Sequence, residues 1–213
     1  MDIENKYVTD VYKNIATHFA DTRFCTWDFV NTFITDLDPS EKGIEIGCGN
    51  GKNIRIRDDL NLIGVDTCKQ FTDICKKQGL KVFQQDCCNL SFRDNLFDFA
   101  LSIAVFHHLA TDSRRYTAMK EMIRILKPGG QGIISVWAVK QTNRNNNMKI
   151  RRFIPGDNYV SWLRKKDKRV FKRYYYIFDQ TMFENYINMF SDKIIVTNTF
   201  NTHGNWVAIF RKK

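Results

Sequence analysis

The chain has 213 residues, of which 43% are hydrophobic and 14% aromatic, and its 33 Lys and Arg against 23 Asp and Glu give a formal net charge of +10. This length predicts one domain, 1–213, and the apolar content is enough to bury a core, so a globally disordered chain is excluded. No stretch approaches the roughly 18 apolar residues of a membrane-spanning helix, so we expect no membrane partner. The first six residues are polar and include acids, so we also expect no secretory or mitochondrial targeting segment.

Apolar residues recur at helical spacing in two N-terminal stretches, which predicts helices over residues 7–19 and 27–37. Strands then alternate with helices, which predicts an α/β fold with a mostly parallel sheet covered on both faces. The predicted strands are residues 44–46, 62–66, 81–85, 97–105 and 132–136, and the helices between them are residues 69–78 and 113–126. The strand at 97–105 is almost entirely apolar, so it is expected at the centre of the sheet. Loop signals over residues 140–172 break the pattern, and the chain then continues with a helix at 180–190 and a terminal hairpin at 193–199 and 206–211.

The positive charge is concentrated in one segment. Residues 138–175 contain twelve Lys and Arg and two acids, so this segment carries the whole net charge and the rest of the chain is neutral. A solvated loop would show this composition, and so would a surface that contacts phosphates.

The six cysteines contain no Cys-x-x-Cys pair and no histidine at zinc-finger spacing, so no metal site is expected. Free thiols are the expected state, which indicates a reducing compartment such as the cytoplasm or the nucleus. Cys48 and Cys87 are expected to line a pocket wall rather than to act as nucleophiles.

A glycine-rich turn follows the strand at 44–46. Its glycines are Gly47, Gly49 and Gly51, and such a turn lets a ligand approach the backbone closely. Lys52 stands where a dinucleotide fingerprint requires the next glycine, which disfavours NAD. Asp66 ends the second strand, where an acid can accept hydrogen bonds from both ribose hydroxyls of a nucleotide-type ligand.

These features, with Glu45, Asp86 and the Leu126–Gly130 turn, resemble the class I S-adenosylmethionine methyltransferases. The resemblance implies a Rossmann-like fold with a seven-stranded, mostly parallel sheet and a C-terminal antiparallel hairpin. It also implies S-adenosylmethionine as cofactor and S-adenosylhomocysteine as product, with the glycine turn at the methionyl part, Asp66 at the ribose and Asp86 at the adenine. The cofactor-binding residues implied are Glu45, Gly47, Cys48, Gly49, Asn50, Gly51, Asp66, Asp86, Cys87, Ser102 and Ile103.

A narrower resemblance covers nearly the whole chain. The aromatic and basic pattern of Tyr7–Trp27 is similar to the entry segment of the eukaryotic tRNA wobble-uridine carboxymethyl methyltransferases. The segments 46–52, 102–108, 129–141, 173–176 and 205–206 also resemble that family. Glu45 departs from the aspartate expected there, and the stretch between Gln141 and Arg173 matches poorly.

The implied reaction is methyl transfer from S-adenosylmethionine to the carboxylate of 5-carboxymethyluridine at the tRNA wobble position, which gives the methyl ester. A carboxylate with a pKa near ~4 is already ionised at neutral pH, so the site needs a clamp for the carboxylate rather than a base. The candidate catalytic residues are Arg23, His107 and His108. The candidate substrate-binding residues are Tyr12, Trp137, Arg164, Lys165, Lys166 and Arg173.

The same family implies a heterodimer with a small zinc-binding activator subunit. Lys81–Gln85 is expected at the edge of the sheet, where a partner can add a strand. We also predict that residues 1–38 form helices over the active site, and that residues 138–175 form a basic substrate-binding insertion, with Lys149–Arg173 on the phosphates of the tRNA anticodon stem-loop.

Three other functions remain open at the level of sequence. A small-molecule methyltransferase of the quinone-biosynthesis type would share the glycine turn and the histidine pair. A non-catalytic binding protein could retain the cofactor fold, and an rRNA methyltransferase could use the same activator. The concentrated charge and the N-terminal pattern favour the tRNA enzyme over the first of these.

Overall fold

The computed structural model describes residues 2–23, 25–141 and 151–213. A short α-helical turn, Asp2–Glu4, and a π-helical stretch, Asn5–Thr9, lead into the first longer helix. The longer helices are α1 (Asp10–Ala20), α2 (Asp28–Thr35), α3 (Lys69–Lys77), α4 (Asp112–Ile125) and α5 (Gln180–Asn188). No helix among these described residues is long and apolar enough to span a bilayer.

The strands belong to one large sheet and two small ones. They are β1 (Lys42–Ile46), β2 (Asn61–Asp66), β3 (Val82–Gln84), β4 (Phe97–Ile103), β5 (Leu126–Trp137), β6 (Lys140–Gln141), β7 (Arg151–Arg152), β8 (Gly156–Arg164), β9 (Arg169–Ile177), β10 (Ile194–Thr202) and β11 (Asn205–Lys212).

The large sheet has seven strands in the order β10-β11-β5-β4-β1-β2-β3. β1 to β5 pair in parallel, and β11 runs antiparallel between β5 and β10. The predicted α/β fold with its C-terminal hairpin is therefore confirmed. The strand predicted to be central is β4, and the strand predicted at the edge is β3.

Helices cover both faces of this sheet. On one face α4 and α5 bury Met119, Met122 and Phe183 against the sheet. On the other face α2 buries Val30 and Ile34. Since the parallel strands are apolar on both faces, their carboxyl ends are left as the place where polar side chains can gather.

The basic segment is more ordered than its loop signals indicate. β8 and β9, of nine residues each, form an antiparallel hairpin that pairs from Gly156 opposite Ile177 to Arg164 opposite Arg169. The prediction of a loop is wrong here because the inward face alternates apolar with cationic residues, which conceals the strand pattern. Lys149, which is part of the predicted phosphate surface, and Arg144 of the basic segment lie outside the described residues.

Candidate active site

A cavity of about 580 Å³ opens at the carboxyl ends of β1, β2 and β4. Residues of the N-terminal segment up to Trp27 form part of its wall, whereas α2 packs on the face of the sheet. The predicted site residues that line it are Tyr12, Arg23, Glu45, Gly47, Cys48, Gly49, Asn50, Asp66, Asp86, Cys87, Ile103, His107, His108, Trp137 and Arg173.

Two predicted cofactor residues lie behind the cavity wall, and their assignment is corrected. Ser102 is buried in β4, where its hydroxyl donates to the Ile46 carbonyl at 3.3 Å and ties β4 to β1. Gly51 adopts φ +71°, and a Cβ there would lie 2.4 Å from Leu80 Cδ1, so this glycine permits packing rather than ligand contact.

The glycine turn is anchored by Asp66 at the end of β2. The Gly49 N–H donates to one carboxylate oxygen at 2.9 Å, and the Cys68 N–H donates to the other at 2.8 Å. Burial raises the pKa of Asp66, and these two backbone hydrogen bonds oppose that effect. Each oxygen retains a further lone pair that can accept from a diol.

Glu45 is a buried acid with one oxygen unused. Its Oε1 accepts from Asn53 Nδ2 at 2.6 Å, but among the described residues neither Glu45 Oε2 nor Asn53 Oδ1 has a partner. Burial raises the pKa of Glu45 to about 8, although the Asn53 hydrogen bond and Lys52 oppose the shift. A cationic group in the cavity would satisfy this oxygen and favour its ionised form.

Asp86 belongs to a network that no sequence motif indicates. Arg114 donates to both Asp86 oxygens at 3.0 and 2.8 Å, and its Nε donates to Glu4 at 2.8 Å. Burial alone would raise the pKa of Asp86, but hydrogen bonds from the Cys88 N–H and Arg114 outweigh it and hold that pKa low. Because Glu4 and Arg114 are 110 residues apart, only the fold brings the N-terminal segment to this wall.

The thiols of Cys48 and Cys87 in the cavity wall are poor nucleophiles. A hydrogen bond with Cys75 and burial raise the pKa of Cys48 well above its ordinary value, and Cys88 and burial do the same for Cys87. Since the thiolate is the reactive form, both residues serve as wall, as the sequence predicts.

The two histidines are held in fixed, neutral forms. The His108 Nδ1 lies 2.8 Å from the Tyr174 carbonyl oxygen, so this nitrogen carries the proton and Nε2 accepts from the Tyr12 hydroxyl at 3.0 Å. The Trp137 N–H donates to His107 Nδ1 at 3.1 Å, so the His107 proton is on Nε2. Burial lowers the pKa of His108 to about 3 and also lowers that of His107. The pair therefore offers hydrogen bonds, not a positive charge.

An aromatic stack adjoins the histidines. The Tyr175 ring lies 4.3 Å from the Trp137 ring and 4.8 Å from the His107 ring, at interplanar angles of 29° and 21°. Tyr175 lines the cavity and belongs to the segment 173–176 that resembles the family, but it is not among the predicted site residues, because its place on β9 is also that of a core residue.

Arg173 and Arg23 provide an uncompensated positive charge in this cavity. Arg173 is 5% exposed, and its Nε has no hydrogen-bond partner within the described ranges. Burial and the nearby Arg173 lower the pKa of Arg23. In the part of the chain that the structure describes, no carboxylate forms an ion pair with either guanidinium. Two guanidiniums without an internal counterion constitute an anion site.

The remaining predicted residues, Arg164, Lys165 and Lys166, lie on the hairpin outside the cavity. Arg164 Nε donates to Asp167 Oδ1 at 2.9 Å, and its Nη1 donates to the Asn14 carbonyl at 2.8 Å. Arg164 therefore fastens the hairpin to α1. Lys165 and Lys166 are at the exposed turn between β8 and β9.

Glu45 makes a testable contribution to the stability of the cofactor-free protein. Because its pKa rises from 4.5 to about 8 on folding, the unfolded chain loses this proton first, and the free energy of unfolding falls as pH rises from 4.5 to 8. We expect Glu45→Gln to raise the free energy of unfolding at pH 8 by about 2 kcal/mol, because the variant has no acid to ionise, and so to raise Tm by about 4–8 °C. Thermal unfolding at pH 8 and pH 5 checks this, and an equal Tm change at both values would contradict it.

These residues fit the cofactor that the sequence implies. S-adenosylmethionine carries an ammonium group and a ribose diol. The ammonium group can donate a hydrogen bond to Glu45 Oε2, which has no partner among the described residues, and the diol can donate to the Asp66 carboxylate. A Cβ placed on Gly49 meets nothing within 4 Å, so the turn leaves room for a ligand against its backbone.

Comparisons with known proteins identify the family of this chain. A methyltransferase domain family matches residues 44–134, from β1 to β5. The tRNA (carboxymethyluridine(34)-5-O)-methyltransferase of Schizosaccharomyces pombe is 39% identical over 166 residues, which are 78% of this chain and 72% of that protein. A relative from Xenopus tropicalis, tRNA (carboxymethyluridine(34)-5-O)-methyltransferase alkbh8, is 40% identical over 147 residues, which are 69% of this chain but 23% of its own length. The chain thus spans only a part of its longer relatives.

Solved structures share the fold at low identity. An S-adenosylmethionine-dependent methyltransferase from Clostridium acetobutylicum matches with a TM-score of 0.67 at 14% identity, over 93% of this chain and 98% of its own. A complex between the Haloferax volcanii Trm112 methyltransferase activator and a methyltransferase matches with a TM-score of 0.64 at 14% identity, over 96% of this chain and 97% of the matched chain. The fold is therefore that of the S-adenosylmethionine-dependent methyltransferases, and the similarity to the Schizosaccharomyces pombe enzyme over most of both chains shows that this chain belongs to the tRNA (carboxymethyluridine(34)-5-O)-methyltransferase family.

Proposed function

We propose that the protein methylates the carboxylate of 5-carboxymethyluridine at the tRNA wobble position and so forms the methyl ester. The observation that carries this proposal is that Arg173, buried beside Arg23 in the same cavity as the glycine turn, has an unused Nε donor and no carboxylate partner among the described residues. A cavity that holds a cofactor and an uncompensated double positive charge suits a small anionic acceptor. The names of the relatives identify such an acceptor.

The chain positions the acceptor and does not need to deprotonate it. Arg173 and Arg23 would hold one carboxylate, and the neutral His107 Nε2–H would donate a further hydrogen bond. S-adenosylmethionine supplies, when bound, a sulfonium methyl group that an ionised carboxylate oxygen can attack directly. Because both histidines are neutral and fixed, neither competes for the carboxylate as a salt-bridge partner. Catalysis rests on alignment and on the exclusion of water.

The aromatic stack can receive the uracil ring. Trp137 and Tyr175 line the cavity as a rigid pair, and single-stranded RNA bases stack on aromatic side chains. A base stacked on Trp137 and Tyr175 would bring its 5-substituent toward the two arginines. Arg173 Cζ lies 5.2 Å from the centroid of the Tyr175 ring.

The exposed hairpin turn suits the phosphates of the anticodon stem-loop better than it suits a small molecule. We expect the double variant Lys165→Glu and Lys166→Glu to weaken RNA affinity about tenfold and to lower the salt slope of binding by about 2, because two phosphate contacts are lost. S-adenosylmethionine affinity should not change. Charge reversal at the exposed Lys76 and Lys120 is the matched control, and an equal loss in that control would contradict a located RNA surface.

Mass spectrometry of wobble nucleosides from cells that lack the gene tests the function directly. The proposal requires that the methyl ester is lost and that the carboxymethyl form, or a product of it, accumulates. An unchanged nucleoside profile would overturn the proposal. Loss of a small-molecule methyl ether with intact wobble nucleosides would favour the quinone-type alternative instead.

We also propose an activator subunit that adds a strand to β3. β3 is at the edge of the large sheet, and Phe83 on it is 39% exposed and packs at 6.2 Å from Phe92. A structurally similar methyltransferase has been solved in complex with an activator. An exposed edge with a large apolar side chain is a ready template for strand addition.

We expect Phe83→Glu to abolish co-purification with a small zinc-binding activator, since it places a charge in the contact. Circular dichroism should show an unchanged fold, because Phe83 is outside the buried core. Ile195→Glu, on the opposite edge strand β10 and 56% exposed, is the control. Retention of the activator by Phe83→Glu, or its loss with Ile195→Glu alone, would contradict binding at β3.

The compartment that we propose is the cytoplasm, with the nucleus as a second site. All six cysteines are free thiols in the structure. Thiols persist in these reducing compartments, where tRNA modification would also find its substrate.

A further inference from the structure

Trp162 on β8 contacts both arginines of the anion site without lining the cavity itself. Its ring centroid lies 4.9 Å from Arg173 Cζ and 5.3 Å from Arg23 Cζ. Arg173 is on the neighbouring strand β9, whereas Arg23 follows α1, so one indole ring joins charges from two distant parts of the chain.

The indole is itself held from the N-terminal side. Its Nε1–H donates to His18 Nδ1 at 3.2 Å, and its ring lies 5.4 Å from that of Phe19. These contacts join β8 to α1 across 144 residues. The ring therefore has a fixed place, which a side chain held only by the hairpin would lack.

We propose that Trp162 is a positioning residue that keeps Arg23 and Arg173 together and so makes the site selective for a charged carboxylate. This inference rests on the proposed function, since it assigns to that site the discrimination between a carboxylate and its neutral amide. Two guanidiniums without an acidic partner repel each other, and an electron-rich ring beside both offsets that repulsion. Without the ring, Arg23 is expected to turn to solvent, where it is already partly exposed.

The connection also links RNA docking to the clamp. Trp162, Arg173 and the lysines of the turn share one hairpin, and Trp162 fastens this hairpin to the segment that carries Arg23. RNA held at the turn would thus meet a clamp that has already been assembled, which reduces the ordering cost of binding.

The test compares two anticodon stem-loop RNAs, one with 5-carboxymethyluridine and one with the corresponding carbamoylmethyl amide at the wobble position. We expect the wild-type full chain to bind the carboxylate RNA more tightly, and Trp162→Leu to lower this preference about tenfold, as expected for the loss of two cation–π contacts. Trp162→Phe, which keeps a ring but no N–H donor, should retain most of the preference. The KM for the carboxylate RNA should rise more than kcat falls, and the Kd for S-adenosylmethionine should stay the same.

Phe171→Leu is the matched control, because Phe171 is directly opposite Trp162 on the hairpin and contacts Arg164 rather than the anion site. If Trp162→Leu weakens the binding of both RNAs equally, or lowers the preference for the carboxylate RNA no more than Phe171→Leu does, Trp162 is a packing residue and the inference is wrong. If the wild-type chain does not distinguish the two RNAs, the proposed function fails instead. A preference that is present in wild type and unchanged in a folded Trp162→Leu overturns this inference alone.

Discussion

Arg173→Ala is expected to lower kcat/KM for carboxymethyluridine RNA by about 100-fold or more, because loss of one partner of a buried charge pair costs about 2–5 kcal/mol. The guanidinium is nearly fully buried, has an unused Nε donor and has no acidic partner among the described residues. Its charge is therefore uncompensated until a ligand carboxylate arrives. Steady-state kinetics with a stem-loop RNA measure the effect, and calorimetry should find S-adenosylmethionine affinity unchanged.

Arg169→Ala is the control for hairpin charge, since Arg169 is on the same strand, its side chain is 74% exposed, and it forms an ion pair with Asp167. We expect this variant to keep most of its activity and to weaken RNA binding slightly. Arg173→Lys should restore little, because an ammonium group cannot reproduce a planar, two-pronged contact. Full activity of Arg173→Ala, or equal losses in both alanine variants, would contradict a carboxylate clamp at Arg173.

Asp66→Asn is expected to weaken S-adenosylmethionine binding about 10- to 100-fold, because hydrogen bonds to a charged acceptor contribute about 1.5–3 kcal/mol. The carboxylate accepts from Gly49 and Cys68 and has lone pairs free for the ribose. An asparagine replaces one of these acceptor oxygens with a donor that must face an N–H or a hydroxyl. The substitution therefore disturbs both the turn and the cofactor contact, although the two side chains have nearly the same volume.

Isothermal titration calorimetry measures this loss, and Asp73→Asn provides the control. Asp73 is on α3 with its side chain 45% exposed and pairs with Lys69 at 2.7 Å, so its replacement should leave cofactor affinity unchanged. Binding of the carboxymethyluridine RNA should change little in Asp66→Asn, since the RNA surface is separate. A wild-type cofactor affinity in a folded Asp66→Asn would contradict the placement of the cofactor at the end of β2.

Contiguous features of the sequence predict the cofactor half of the site. The strand, the glycine turn and the acid at the end of the next strand all lie within residues 42–66, so their local pattern is also their spatial arrangement. The centre of the sheet follows in the same way, because β4 is almost entirely apolar, whereas the edge position of β3 follows from the resemblance to the fold class.

The acceptor half depends on contacts that no local pattern records. The fold joins Glu4 to Arg114 and His18 to Trp162 over 110 and 144 residues. Arg173 is buried on β9 whereas Lys172 beside it is exposed, and no local pattern in this basic segment predicts that difference in burial. Ser102 shows the opposite case, since it belongs to a motif that lines the cavity but its hydroxyl is used within the sheet.

One measurement tests the central claim most directly. The purified chain, with its activator if one is required, is incubated with S-adenosylmethionine and a stem-loop RNA that carries 5-carboxymethyluridine, and the digested nucleosides are analysed by mass spectrometry. We expect one added methyl group on the wobble nucleoside, removable by mild alkali as an ester is, and none on RNA that carries the carbamoylmethyl amide or unmodified uridine. Methylation of the unmodified RNA, an alkali-stable product, or no transfer to the carboxymethyl RNA by a chain that binds the cofactor would contradict the account.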